Sequence, residues 1–128
     1  SVVPPVEVVL PGDITRRVEE EFMARADHYR NDIDRYRVVL APHHGSKTSS
    51  SEPWVAWMAP NLAVVSAGYR HRFGHPHADV VDRYQSVGSD IANTAASGAI
   101  RLVLEPGGVI TTKARAATPF WIRKPETP

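Results

Sequence analysis

The feature of this sequence that most constrains its fold is the alternation of short apolar segments with segments of helical periodicity. Residues 6–10, 37–41 and 62–66 are short, apolar and rich in β-branched side chains, so each predicts a strand. After the first strand, Val18 and Phe22 recur at helical spacing. Strands that alternate with helices predict an α/β fold in which helices pack on a sheet.

The second half of the chain extends this pattern. Residues 51–57 and 78–86 predict two further helices, and residues 99–113 predict a β-hairpin with a Pro-Gly-Gly turn. These elements extend the α/β prediction. Residues 118–128 contain three prolines, so we expect one domain over residues 1–117 and a C-terminal tail over residues 118–128.

Composition narrows the possible chemistry. The chain has 128 residues, a formal net charge of +1 and no cysteine. Disulfides and cysteine-based zinc sites are therefore excluded, and any bound metal must be held by His, Asp or Glu. No apolar run approaches the roughly 20 residues of a bilayer span, and no signal-peptide pattern opens the chain, so we expect a soluble piece.

The first chemical signal is Asp13, which follows the first predicted strand and a Pro-Gly turn. Ligands of α/β sheets bind where strands end, and an aspartate placed there can ligate a metal with one or both oxygens. A turn aspartate that caps the next helix is the alternative interpretation.

The second signal is the polar loop that follows the strand at residues 37–41. It begins with His43 and His44, and neutral imidazole is the commonest zinc ligand. Neighbouring side chains of an extended chain point in opposite directions, so we expect only one of the two to face a given metal. Ser46 and Thr48 are candidates for binding phosphate oxygens, and Lys47 adds a positive charge. The alternative is a polar surface loop with incidental histidines.

The third signal is a loop at residues 68–77 that is rich in His and Arg. His75 is a candidate acid or phosphate ligand, and Arg70 and Arg72 are candidate phosphate clamps. A solvated basic loop, in which His77 caps the following helix, explains the same residues.

Together these segments resemble the C-terminal metallo-β-lactamase-like domain of the ComEC/Rec2 family of competence proteins. The similarity covers most of the chain, and its His-His-Gly-Ser and Phe-Gly-His-Pro combination is quite specific. The stretches that carry it are Gly12-Asp13-Ile14, residues 41–50, residues 66–76 and Gly98-Ala99-Ile100-Arg101.

The resemblance implies a fold and a metal site. The fold would be the C-terminal half of an αββα sandwich, a mixed sheet with helices. The intact domain would bind two divalent metal ions, zinc or manganese. Asp13 would be the bridging ligand and His44, which precedes a glycine, the last histidine ligand, with His43 as the fallback. His75 would lie near the scissile phosphate.

The resemblance also implies a function. Members of the family couple a membrane channel for single-stranded DNA to a hydrolase domain, which is proposed to degrade the strand that is not imported. The expected partners are the DNA backbone and the channel domain of the same full-length protein. That protein would lie in the inner membrane, with this domain on its outer, periplasmic side.

One departure from the family pattern is severe. No His-x-His-x-Asp-His motif, nor its His-x-Asp-x-Asp-His variant, occurs in the sequence. We therefore expect this fragment to be inactive by itself, to lack bound metal, and to expose a sheet through which copies could associate. Two alternatives remain open. One is a small-molecule metallohydrolase of the lactonase or phosphocholine esterase type, and the other is a degenerate, non-catalytic domain that binds DNA or a partner.

Overall fold

A computed structural model describes residues 4–26, 35–67 and 76–113 of the chain. The predicted tail at residues 118–128 lies outside the described residues. The elements, in chain order, are β1 (Val6–Val9), α1 (Arg16–Arg25), β2 (Tyr36–Leu40), a 3-10 turn (Pro42–Gly45), α2 (Glu52–Met58), β3 (Leu62–Val65), α3 (Ala78–Ser86), β4 (Asp90–Asn93), α4 (Thr94–Ser97), β5 (Ile100–Glu105) and β6 (Gly108–Lys113). None of the described helices has the length and apolar character that a bilayer span requires.

The described strands form two sheets. The first has the order β1-β2-β3-β4, and all of its neighbouring strands run parallel. The second is the antiparallel hairpin β5-β6. The predicted α/β class is confirmed, and the arrangement is consistent with part of an αββα sandwich. The parallel and antiparallel pairs lie in separate sheets rather than in one mixed sheet.

Each face of the parallel sheet carries its own apolar cluster. On one face the buried strand residues Val39, Ala63 and Val65 pack with Trp54 of α2 and Tyr84 of α3. The opposite face is built on a second cluster, against which the β5-β6 hairpin packs. The members of that second cluster are Val38, Leu62 and Ala92, with Ile100, Leu102 and Val109 packed against them.

Most predicted elements are present, with differences that have physical causes. Ser51 is the N-cap of α2 and accepts a hydrogen bond from the Trp54 backbone N–H. The β4 strand was not predicted, because its sequence Asp-Ile-Ala-Asn has little β-branched character and its pairing with β3 comes from tertiary context. In α1 the periodic residues Val18 and Phe22 are 41% and 43% exposed.

An ion pair between a buried arginine and a half-buried glutamate joins the first two strands near their amino-terminal ends. Glu7 lies opposite Arg37 in the β1-β2 register, and its carboxylate accepts a hydrogen bond of 2.9 Å from Arg37 Nε and a second from Arg35. The side chains of Arg37 and Glu7 are only 7% and 15% exposed. Arg37 also donates to the carbonyl of Met58, so the pair ties the sheet to the end of α2.

Substitution of Glu7 by alanine should lower the free energy of unfolding by about 3–5 kcal/mol, because it removes the carboxylate that accepts hydrogen bonds from Arg35 and from the buried Arg37 guanidinium. Glu21→Ala is the control, since Glu21 pairs with Arg17 on the exposed surface of α1. That change should cost about 0–1 kcal/mol. Urea unfolding of both variants checks the prediction, and equal losses would contradict it.

Candidate functional site

Four strand ends meet at one edge of the parallel sheet. Asp13 follows β1, His44 follows β2, Ser66 follows β3 and Thr94 follows β4. Since the strands are parallel and neighbouring, their carboxyl ends lie side by side, and this is the edge at which open α/β sheets bind ligands. The first two predicted signals are thus brought together.

The two histidines lie in a tight turn with left-handed backbone geometry. The φ angles of His43, His44 and Gly45 are 50°, 55° and 79°. The prediction that the two histidines share an extended chain is therefore wrong. The turn is closed by a 3.0 Å hydrogen bond from His43 N–H to the Gly12 carbonyl, which brings the loop after β2 against the loop after β1. Non-glycine residues in this region are uncommon and concentrate at functional sites.

The His44 ring is oriented by the end of the neighbouring strand. Its Nδ1 lies 2.7 Å from the backbone carbonyl of Ser66. A carbonyl oxygen only accepts, so Nδ1 carries the proton and donates it. In the neutral ring Nε2 therefore holds the lone pair, and Nε2 lies 3.6 Å from Asp13 Oδ1. A backbone carbonyl that fixes the tautomer of a histidine in this way is the usual outer support of a metal-ligating imidazole.

The separation of these two atoms suits a shared metal ion. Two donors about 2.1 Å from one tetrahedrally coordinated zinc lie about 3.4 Å apart, close to the 3.6 Å between His44 Nε2 and Asp13 Oδ1. The side chains are 52% and 71% exposed, so the pair is open to solvent. Within the described residues, no cluster of three or more His, Asp or Glu side chains could hold a metal ion.

His43 has a different environment. Its Nδ1 lies 3.2 Å from Thr48 Oγ1, and its ring centroid is 6.4 Å from that of His44. Of the two histidines, His44 is the one that faces Asp13. The assignment of His44 as ligand, with His43 as fallback, stays a prediction that this geometry favours.

The hydroxyl loop after the histidines divides into a supporting and an exposed part. Ser46 is only 6% exposed, and its Oγ lies 3.0 Å from Thr48 Oγ1. Lys47 and Thr48 are exposed. The buried Ser46 hydroxyl therefore holds the Thr48 hydroxyl by a hydrogen bond. Lys47 and Thr48 are the two side chains of this loop that face solvent.

Arg16 was not singled out in the sequence, although it is the first residue of the helix that follows Asp13. Its backbone N–H donates to the Thr48 carbonyl at 3.1 Å, and its Nη2 donates to the Lys47 carbonyl at 2.8 Å. Arg16 thus adds an exposed positive charge beside Lys47.

A buried polar cluster lies behind the loop and was also missed. Glu19 of α1 is fully buried, and its carboxylate accepts from the backbone N–H groups of Ser50 and Ser51. Ser50 Oγ lies 2.9 Å from the Tyr84 hydroxyl. Burial raises the pKa of Tyr84 to about 12, against the opposing effect of its hydrogen bond with Ser50.

The predicted residues Arg70, Arg72 and His75 lie outside the described residues. The described residues on either side are held at this edge of the sheet. The backbone N–H of Ala67 donates to Thr94 Oγ1 at 2.8 Å, and the N–H of His77 donates to the Gly45 carbonyl at 2.9 Å. His77 caps α3 by accepting a hydrogen bond from the Asp79 N–H, as one of the two interpretations of that loop predicted.

The chain is similar to several known proteins, including the following three. Competence protein ComA of Neisseria gonorrhoeae is 32% identical over 118 residues, which are 92% of this chain and 16% of the relative. Recombination protein 2 of Haemophilus influenzae is 35% identical over 74% of this chain and 11% of its own length. ComE operon protein 3 of Bacillus subtilis is 31% identical over 73% of this chain and 11% of its own length.

No family model matches the chain, and neither does any solved structure. The described part of the chain is an α/β unit with polar residues at its strand ends, and its relatives over most of its length are competence proteins. It belongs to the ComEC/Rec2 family of competence proteins, and it spans 11 to 16% of the length of these three relatives.

Replacement of Gly45 by alanine should disrupt the histidine turn. Its φ of 79° disfavours any side chain, and an added Cβ would lie 2.7 Å from Pro76 Cβ and 3.1 Å from Pro76 Cα. We expect a loss of about 2–4 kcal/mol in the free energy of unfolding. Gly108→Ala is the matched control, because a Cβ there meets nothing within 4 Å. Thermal unfolding compares the two, and a Gly45→Ala variant as stable as the control would contradict this view of the turn.

Proposed function

We propose that this chain is part of a metal-dependent phosphodiesterase domain, a nuclease, within a DNA-uptake protein. The observation that carries the proposal is the orientation of His44, whose Nδ1 donates to the Ser66 carbonyl while Nε2 faces Asp13 at 3.6 Å. A neutral imidazole nitrogen and a carboxylate oxygen both offer lone pairs, so the space between them favours a cation.

The donor set suits zinc or manganese, the ions expected from the resemblance. Asp13 and His44 would hold the metal, with Asp13 as the bridging ligand of a two-metal site. The remaining ligands would come from residues other than those described. When bound, such ions lower the pKa of a water molecule and neutralise charge on a phosphodiester.

The side chains around the pair suit a phosphate. Lys47 and Arg16 place positive charge at this edge, and the Thr48 hydroxyl is held by Ser46. These groups would bind the non-bridging oxygens of the backbone. Arg70 and Arg72, predicted as phosphate clamps, and His75, predicted as an acid or phosphate ligand, would add further contacts to the phosphate.

The charge around the pair favours an anionic substrate such as the DNA backbone. Lys47 and Arg16 place positive charge at the edge of the sheet that carries Asp13 and His44. Contacts made through phosphates carry no sequence information and weaken steeply with salt. The domain would therefore cut DNA with low sequence preference. In the full-length protein it would degrade the strand not imported by the membrane channel, on the periplasmic side of the inner membrane.

Cleavage of single-stranded DNA by the full-length gene product tests this proposal. Asp13→Ala and His44→Ala should each reduce the rate on the order of 100-fold or more, at least as much as loss of an outer-shell partner of a metal ligand. His77→Asn is the control, because asparagine keeps the helix cap while removing an imidazole near the loop. It should leave the rate unchanged.

Two results would overturn the proposal. One is a wild-type protein that cleaves no DNA with either zinc or manganese supplied. The other is an Asp13→Ala or His44→Ala variant that is folded and fully active. Cleavage of a small ester or lactone without cleavage of DNA would support the small-molecule alternative instead.

A further inference from the structure

Glu19 is the one acidic side chain of α1 that is fully buried, on a helix where Val18 and Phe22 are both more than 40% exposed and Met23 is half-buried against the core. A buried carboxylate is costly unless hydrogen bonds compensate it, and an apolar residue would fill the same space without that cost. The carboxylate therefore calls for an explanation other than packing.

The carboxylate spans the gap between α1 and the end of the histidine loop. One oxygen accepts from the Ser51 N–H at 3.0 Å, and the other accepts from the Ser50 N–H. Ser50 has a φ of 54°, so these bonds hold a residue in a backbone conformation that it would rarely adopt alone. Arg83 donates to the Ser50 carbonyl at 3.0 Å. This carbonyl belongs to the same peptide unit as the Ser51 N–H, so the unit is hydrogen-bonded on both sides.

A chain of short contacts links this point to the histidines. The Ser49 hydroxyl, adjacent to Ser50, donates to the Pro42 carbonyl at 3.1 Å and closes the loop across its base. Within the loop, the Ser46 N–H donates to the His43 carbonyl at 2.9 Å. The left-handed turn that orients His44 is therefore hydrogen-bonded to the segment at Ser49–Ser51, which the Glu19 carboxylate binds.

The same helix fixes the other half of the site. Since α1 begins three residues after Asp13, a contact between α1 and the histidine loop also sets the position of Asp13 relative to His44. Arg16 supplies a second such contact, through its N–H bond to the Thr48 carbonyl, one turn before Glu19.

We infer that Glu19 is a positioning residue: its buried carboxylate clamps the histidine loop to the helix that follows Asp13, and so sets the orientation of His44 toward Asp13. The orientation of the ring follows from contacts in the chain itself. The consequence for metal affinity rests on the proposed function.

The test uses Glu19→Gln, which keeps the shape of the side chain but places an amide NH₂ against one of the two backbone N–H donors. The first measurement is the tautomer of His44, by nitrogen-15 NMR of the imidazoles in the 128-residue chain. Wild type should show a single Nδ1–H form, and Glu19→Gln should show a mixture of both tautomers. The second is zinc affinity of the full-length gene product, by competition with a chelator, which should fall about tenfold or more.

Two controls separate positioning from stability. Glu20→Gln changes the neighbouring exposed carboxylate and should alter neither measurement. Glu7→Gln weakens the ion pair at the opposite end of the strands and should lower stability while leaving the His44 tautomer as in wild type. If Glu19→Gln does not fold, Ser49→Ala removes the next link of the same path and should produce the same mixture of tautomers.

The outcomes distinguish the two proposals. A folded Glu19→Gln variant with the wild-type His44 tautomer would overturn the positioning role, and so would a tautomer change of equal size in Glu7→Gln. Absence of zinc binding in the wild-type protein would count against the proposed metal site, while the tautomer comparison would still decide the role of Glu19.

Discussion

The hydrogen bond from His44 Nδ1 to the Ser66 carbonyl joins the ends of two neighbouring parallel strands and determines what the edge of the sheet offers to a ligand. It exists because β2 and β3 end side by side, and because the chain after β2 folds back in a left-handed turn. Without that bond the His44 ring could rotate, and its free nitrogen would have no fixed relation to Asp13. The site thus depends on backbone register as much as on the identity of its side chains.

The turn that places His44 is conformationally unfavourable by itself, and the surrounding contacts compensate for it. His43, His44 and Ser50 all have positive φ angles without being glycine. The loop that contains them is held at its start by the Gly12 carbonyl and at its end by the Glu19 carboxylate. Such over-determination is what allows strained residues to persist in a folded protein.

The features that could be predicted from the sequence are those that depend on short-range residue patterns. The strands around Val8 and Val39 and the helix at Ala78–Ser86 follow from periodicity, and Asp13 and His44 stand out because they follow strands. These patterns did not predict β4, whose pairing with β3 is a tertiary effect, or the buried state of Glu19, because helical periodicity reports only apolar residues. The Ser66 partner of His44 is a backbone carbonyl, which no side-chain pattern reveals.

Metal content by mass spectrometry of the purified full-length gene product tests most directly whether Asp13 and His44 hold a metal ion. We expect about two equivalents of zinc or manganese in the wild-type protein, in line with a two-metal site. His44→Ala should lose at least one equivalent, and His77→Asn should retain both. A wild-type protein without metal, or a His44→Ala variant that retains all of it, would show that these two residues do not hold a metal ion.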